Sequence, residues 1–260
     1  MIEVSNDKGE PVGLSEEERK RYTRQMMMDG WGETGQEKLK KSTVFIAGAG
    51  GLGSPAAIYL AVAGVGNIRI CDFDVPDLTN LNRQILHDKS RIGINKTLSA
   101  RTTLASMNAN VKVTALQDKI TASSIDALVA NADVIVDCMD NFPTRYILNE
   151  AAVRKHIPLI YGSVWGMDGR LSFIYPPETP CFRCLFHEGP PPGTFPIVGA
   201  VPGVIGSLQA LEALKYLTGI GSNLKGKQLV WEGSTMTFKT LRMFTDPACP
   251  VCGPNAKSWR

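Results

Sequence analysis

The sequence predicts an α/β fold: a Rossmann-like, mostly parallel sheet covered by helices and extended by C-terminal antiparallel strands and a cysteine-knuckle region. Three observations predict it. The run Ile46-Ala47-Gly48-Ala49-Gly50-Gly51-Leu52-Gly53 joins an apolar strand-like segment to an apolar helix-like one. Asp72 closes a second strand-like segment about 20 residues later, as nucleotide-binding βαβ units require. Strand and helix patterns then alternate as far as Gly162, and the pattern changes after it.

Each element has its own signal. Ser15-Glu16-Glu17-Glu18 is a capping-box pattern and starts a helix reaching about Met28; Thr34-Gly35-Gln36-Glu37 repeats it for a short helix ending near Lys41. Strands are expected at Thr43–Ala47, Asn67–Asp72, Val111–Leu116, Val134–Asp137 and Pro158–Tyr161. Helices are expected at Gly51–Ala63, Asn95–Met107, Ser123–Ala130 and Pro143–Lys155. Past Gly162 come a strand at Arg170–Tyr175, a proline-rich loop from Pro176 to Pro202 and a helix from about Val204 to Thr218. Two last strands, Gln228–Trp231 and Thr235–Leu241, meet across Glu232-Gly233-Ser234. No repeat and no flexible linker divides the chain, so one domain with a C-terminal extension is expected.

The glycines have separate jobs. Gly48 permits a tight turn, Gly50 lets the backbone approach a phosphate, Gly53 lets the helix pack closely on the sheet, and helix amides without partners face the anion. A net charge of +3 on 260 residues argues for neither nucleic acid nor a membrane surface. Met1-Ile2-Glu3-Val4 has no apolar signal core, and the apolar stretch from Ala56 to Val65 is too short and glycine-interrupted to span a bilayer. A cytoplasmic protein is expected.

Four of the six cysteines form two Cys-x-x-Cys pairs on turn-prone segments, Cys181/Cys184 and Cys249/Cys252. Four thiolates from two such knuckles suit the tetrahedral shell of structural Zn²⁺. Redox motifs or disulfides are the alternatives. Zinc is preferred because neither pair is expected to open a helix that would depress a thiol pKa, and because the cytosol disfavours disulfides.

Charged residues cluster after the glycine loop. Arg83 follows a loop at the carboxyl end of a strand, and Lys96 begins the next helix near the same face, where open α/β sheets bind ligands. A dinucleotide's pyrophosphate needs only amides, whereas cleaving a triphosphate requires cations to stabilise the departing pyrophosphate, which points to ATP. Asp140 lies just past another strand and could hold Mg²⁺. Taken singly, Arg83 and Lys96 read as solvated charges and Asp140 as a helix cap. Their shared face favours a site.

Arg21-Tyr22-Thr23-Arg24-Gln25, the glycine run, Asp72-Phe73-Asp74, Asn80-Leu81-Asn82-Arg83-Gln84, Asp137-Cys138-Met139-Asp140-Asn141, the paired cysteines and Gly203-Val204-Ile205-Gly206-Ser207-Leu208-Gln209-Ala210 together resemble the successive signatures of the ThiF/MoeB/HesA family, from about Glu17 to Gly253. These are bacterial relatives of ubiquitin-activating enzymes. The resemblance implies a single adenylating domain over residues 1–260, with N-terminal helices over 15–41, a nucleotide-binding half over 42–162 and a carrier-binding half over 163–253. It implies adenylation of the C-terminal carboxylate of a small ubiquitin-like sulfur carrier ending in Gly-Gly, with release of pyrophosphate. Gly51 and its neighbours, with Asp74 and Asn141 beside the site, would hold the nucleotide. Asp72 would take the ribose hydroxyls, Asn80, Arg83 and Lys96 the phosphates, and Asp140 the Mg²⁺. The matching arginine in the family reaches the ATP of the other subunit, so Arg24 implies a homodimer.

One departure stands out. Many relatives carry a cysteine on the loop before Gly203, where it can link to the carrier; here Gly189 to Val198 contains none, and Cys71 and Cys138 lie in or beside apolar strands. A separate sulfur donor and no covalent enzyme adduct are therefore expected. The proline run of that loop is expected to stiffen it as a guide for the carrier's tail, with a disordered loop as the equal alternative. The rival functions are an NAD(P)-dependent oxidoreductase, which would leave Arg83, Lys96 and the cysteine pairs idle, a non-catalytic binding module, and adenylation of a tRNA or peptide.

Overall fold

Val44, Phe45, Ile46 and Ala47 follow one another without a polar break, the pattern of a strand covered on both faces. The computed structural model describes residues 13–189, 193, 195–254 and 256, and it places these four in β1 (Thr43–Ala47) with no exposed surface. Val44 and Ile46 enter one apolar cluster, Phe45 and Ala47 a second on the opposite face. β1 pairs in parallel with β2 (Asn67–Cys71) and, on its other side, with β4 (Val134–Asp137). β3 (Lys112–Leu116) lies parallel beside β2, and β5 (Leu159–Trp165) parallel beside β4. From β5 onward β6 (Asp168–Ile174), β7 (Lys227–Glu232) and β8 (Thr237–Arg242) add antiparallel. Among the described residues these strands make one sheet, ordered β3-β2-β1-β4-β5-β6-β7-β8, so the chain reverses its winding between β1 and β4. The expected parallel sheet with an antiparallel extension is the observed one.

At least 17 residues separate each parallel strand from the next, and helices occupy these connections. The expected first helix is two, α1 (Glu16–Arg21) and α2 (Thr23–Met26). The Ser15 capping box forms as read, with Glu18 also paired to Lys40 at 2.8 Å. The break falls at Tyr22, which is buried and whose hydroxyl accepts a 2.8 Å bond from Asn108. That tertiary anchor overrides continuation of the helix. In α3 (Gly32–Lys41) the Thr34 signature misleads: the helix starts three residues earlier, behind the buried Trp31.

α3, α4 (Gly53–Ala63), α5 (Lys96–Met107) and, later in the chain, the helix over 200–218 contribute Leu39, Leu60, Leu104 and Ile205 to the first cluster. On the other face α6 (Ile125–Val129), α7 (Phe142–Lys155) and α8 (Phe182–Leu185) contribute Ile125, Leu148 and Phe182. α9 (Ala200–Thr218) begins earlier than read, because Pro202 is tolerated within a first turn. β5 runs past Tyr161 to Trp165 because Gly166, at φ +60°, closes a two-residue hairpin onto β6. The last connection spans 233–236, one residue longer than expected, with Met236 at φ +55°. The run Pro190 to Pro192, expected to be stiff, lies outside the described residues, as do Met1 to Val4.

Besides its apolar packing, α9 is hydrogen-bonded to the sheet through Gln209. Gln209 is fully buried and its Nε2 donates to the Asp137 carbonyl at 2.7 Å and the Ile160 carbonyl at 3.0 Å, fastening the carboxyl ends of β4 and β5 together. A Cβ at Gly162 would stand 2.4 Å from the Gln209 amide, so only glycine admits this contact. We expect Gln209→Leu, which keeps the volume and removes the donor, to lower stability by about 2–4 kcal/mol. Urea unfolding checks this; an unchanged midpoint would mean the carbonyls find other partners.

Candidate functional site: a phosphate cradle and a four-cysteine centre

The cradle starts where β1 ends. Gly48 has φ +98°, and a Cβ on it would lie 2.9 Å from the Cys138 carbonyl oxygen beyond β4. A Cβ at Gly53 would overlap the Gly48 carbonyl at 2.0 Å. At Gly50 the nearest atom to such a Cβ is the Gln84 amide at 3.5 Å, an ordinary contact. Among the described residues nothing crowds a side chain at position 50, so the backbone there is open to close approach from outside. No side chain caps the start of α4; the Ser54 amide donates to the Gly50 carbonyl and Pro55 has none, which leaves the Gly53 amide and those of the glycine loop before it to face an anion.

Around this loop the structure gathers the residues singled out from sequence. Asp72 accepts from the Ala49 amide at 2.8 Å and from the Asp74 amide at 3.0 Å, and stays partly exposed, so lone pairs remain for hydroxyl groups. Lys96 is the first residue of α5; its side chain is nearly buried and its ammonium group pairs with Asp74 at 3.3 Å. Asn95 caps that helix and ties it to the Asp72 and Asp74 carbonyls, each at 3.1 Å. Asp74 thus holds Lys96. The stem of Arg83 stands 3.4 Å from where a Gly51 Cβ would be, and its head donates to the Thr79 carbonyl and the Asn82 side chain. Asn80 closes a short 3₁₀ turn with Asp77.

Beyond β4 the competition over the helix cap is resolved. Asn141, not Asp140, caps α7, accepting from the Thr144 amide at 3.0 Å. The Asp140 carboxylate is exposed and, among the described residues, makes no hydrogen bond or ion pair, so it is free to hold a cation. Beneath it lie two residues to which the sequence assigned no role in the site. Asp137 is wholly buried, and burial pushes its carboxyl up to about 6, opposed by the Arg145 guanidinium 3.5 Å away and the Met139 amide. Arg145 also donates to the Met139 carbonyl at 2.5 Å and the Gly162 carbonyl at 3.0 Å, and sits over the Tyr161 ring. An arginine one turn into a helix reads as a solvated charge; only the packing around it reveals the loop it holds.

Arg24 is not in this cradle. It is exposed on α2, whose Gln25 donates to the Ala63 carbonyl at the far end of α4. With 11 residues, α4 is about 16 Å long, which separates that end from the glycine loop.

The four-cysteine centre lies under α7. Sγ–Sγ distances are 3.9 Å for Cys181–Cys184, 3.6 Å for Cys181–Cys249 and 3.3 Å for Cys184–Cys252, and all four sulfurs fall within 4.8 Å of one another. Four ligands at about 2.3 Å from Zn²⁺ in a tetrahedron stand about 3.8 Å apart, so the set fits the ion. All four cysteines are free. One expectation is overturned: Cys181 caps the one-turn α8, so the first pair does open a helix. Its thiol is lowered to about 5, chiefly by a bond with Cys252 and further by neighbouring donors, while burial opposes the shift. The preference for zinc over a redox pair therefore rests on the second pair standing beside the first. Asn149 of α7 accepts from the Phe182 amide at 2.8 Å, and Phe182 packs against Phe142 and Tyr161, which joins the centre to the start of α7. We expect about one zinc per chain by elemental analysis. Cys249→Ser should lose the metal and lower the melting temperature; a metal-free protein of unchanged stability would dismiss the centre.

Comparisons with known proteins agree with this geometry. The family model described as "ThiF family" matches residues 22–251. The "SAMP-activating enzyme E1" of Haloferax volcanii is 41% identical over 90% of this chain and 88% of its own length. The "Sulfur carrier protein adenylyltransferase" of Thermus thermophilus is 40% identical over 92% of each. The "Adenylyltransferase and sulfurtransferase MOCS3" of Drosophila persimilis is 40% identical over 96% of this chain, which spans only 57% of that protein. Among solved structures, E. coli MccB with ATP superimposes with a TM-score of 0.79 at 26% identity, covering 90% of this chain and 73% of MccB. From residue 22 to residue 251, in fold and in sequence alike, this chain belongs to the ThiF family.

Proposed function

We propose that the chain adenylates the C-terminal Gly-Gly carboxylate of a small ubiquitin-like sulfur carrier at the expense of ATP. The observation that carries this is the gathering of the uncapped glycine loop, Arg83, the Lys96–Asp74 pair and the unengaged Asp140 at the crevice between β1 and β4. The names of the Haloferax and Thermus relatives supply the acceptor class. Neither the glycine loop alone nor Asp72 alone would separate ATP from NAD(P); the two cations and the relatives do.

In this reading Gly48, Gly50, Gly51 and Gly53 present backbone to the phosphates, Asp72 takes the ribose, and Asn80 and Asn141 border the nucleotide. A carboxylate oxygen of the carrier attacks the α-phosphorus. The bond from that phosphorus to the oxygen bridging the β-phosphate breaks, and the electron pair leaves on pyrophosphate. Arg83 and Lys96 stabilise that charge, Lys96 exchanging its Asp74 partner for phosphate. Asp140 would hold Mg²⁺, which neutralises phosphate charge when bound. No protein nucleophile is needed, and no thiol lies on the described part of the loop before α9, so the acyl-adenylate passes to a separate sulfur donor without an enzyme thioester. Arg24, remote from its own cradle, serves the cradle of a second copy in a homodimer. Unpaired thiols suit the reducing cytoplasm, and no helix among the described residues is long and apolar enough to cross a membrane.

ATP–pyrophosphate exchange with candidate carriers tests the reading. Exchange should require the intact Gly-Gly terminus, and Arg83→Ala or Lys96→Ala should lower it about 10²–10³-fold. Normal rates in both variants would refute the phosphate assignment. ATP with Mg²⁺ should raise the melting temperature where NAD does not. For the shared site, mixing inactive Arg24→Ala with inactive Lys96→Ala should restore exchange, since one of the two cradles in a mixed pair is then intact; continued inactivity would remove Arg24 from the machinery.

A further inference from the structure

His87 plays no part in the chemistry above, yet it is buried directly behind the glycine loop. Its Nε2 lies 2.9 Å from the Ala49 carbonyl oxygen and its Nδ1 lies 2.9 Å from the Ser99 hydroxyl. A carbonyl only accepts, so Nε2 carries the proton and Nδ1 accepts from Ser99. The backbone on either side is held as well: the Leu86 amide donates to the Ser54 hydroxyl of α4, the Leu86 carbonyl accepts from Thr103 of α5, and the His87 amide donates to the Gln84 carbonyl. The ring therefore has one orientation.

We infer that His87 is a positioning residue for the nucleotide's phosphates, fixing the Ala49–Gly50 peptide so that the Gly50 N–H faces the cradle. The inference rests on the adenylation reading for the identity of the ligand. Its stereochemistry is simple. In a planar trans peptide the C=O and the next N–H point in opposite directions. His87 holds the Ala49 carbonyl on the inner side, so the Gly50 N–H is directed away from it, and no group among the described residues accepts from that amide. Asp72 holds the preceding amide of Ala49 at 2.8 Å, so the peptide units on both sides of residue 49 are set by side chains from outside the loop. Ser99 stands one turn after Lys96 on α5, so the same ring also ties the amide donor to the helix that carries the cation. Burial holds the imidazole below its ordinary pKa, against the raising effect of the Ala49 bond and with a further lowering from Lys96, in keeping with a neutral ring.

The test compares the full-length wild type with His87→Leu, which removes both bonds, His87→Gln, whose amide can donate near the Nε2 position, and Ser99→Ala. The readouts are KM for ATP and KM for the carrier in pyrophosphate exchange, and the Kd of a non-hydrolysable ATP analogue by calorimetry. His87→Leu should raise KM and Kd for the nucleotide about tenfold while KM for the carrier stays unchanged. His87→Gln should return both to within about threefold of wild type. A residue that only stabilises the fold would reduce the active fraction, and so kcat, without this split. An unchanged nucleotide KM in His87→Leu, or a His87→Gln no better than His87→Leu, would overturn the inference. If His87→Leu does not fold, Ser99→Ala reads the same quantity: a raised nucleotide KM supports the role and an unchanged one refutes it. A wild type that binds the analogue but exchanges no pyrophosphate would instead refute the adenylation reading, and the Kd series would still decide the role of His87.

Discussion

The chain can leave β1 and enter α4 in so short a turn only because Gly48 and Gly53 carry no side chain. A Cβ at Gly53 would lie 2.0 Å from the Gly48 carbonyl, far inside any real contact. A Cβ at Gly48 would crowd the Cys138 carbonyl that follows β4. This one constraint brings the start of α4 up against the crevice between β1 and β4, where the winding of the sheet reverses. The loops after β1, β2 and β4 then converge around backbone amides, and everything proposed for the site needs that convergence.

Burial on both sheet faces keeps the convergence rigid. On the first face Gln209 fastens the ends of β4 and β5 to α9. On the second, Asp137 and Arg145 form an ion pair removed from solvent, a costly arrangement unless further bonds satisfy the charges. Arg145 Nη2 donates to the Met139 and Gly162 carbonyls and so holds the segment leading to Asp140, while Arg145 Nε and the facing Asp137 Oδ2 make no hydrogen bond among the described residues, so the pair is only partly compensated. The cysteine centre adds a third support, because Phe182, framed by Cys181 and Cys184, packs on Phe142 at the first position of α7. A centre remote in sequence from the glycine loop thereby stiffens one wall of the cradle.

The elements with strong periodicity or unbroken apolar runs were legible in the sequence, β1 and α4 above all, because propensity, pattern and burial agree there. The N-terminal helix was misread for a definite reason: Ser15 and Glu18 cap it as the pattern says, but Tyr22 is drawn under the end of α4 by Asn108, a partner 86 residues away. The Thr34 signature failed likewise, since four residues of capping pattern are a weaker determinant than the burial of Trp31. The alternative reading of Asp140 as the cap of α7 fails, because the neighbouring Asn141 takes that place.

By itself the sequence determined the class of fold, the glycine turn, the two cysteine pairs and the cationic residues of the crevice, since each depends on residue type at short spacing. The tertiary structure alone decided that Asp74 holds Lys96, that Arg145 rests beneath Asp137, that His87 grips the Ala49 carbonyl, and that Arg24 sits at the opposite end of α4 from the cradle. These are contacts between side chains and distant backbone. A sequence records which groups exist, whereas their direction and their removal from water are set only when the layers of the sheet and helices close upon them.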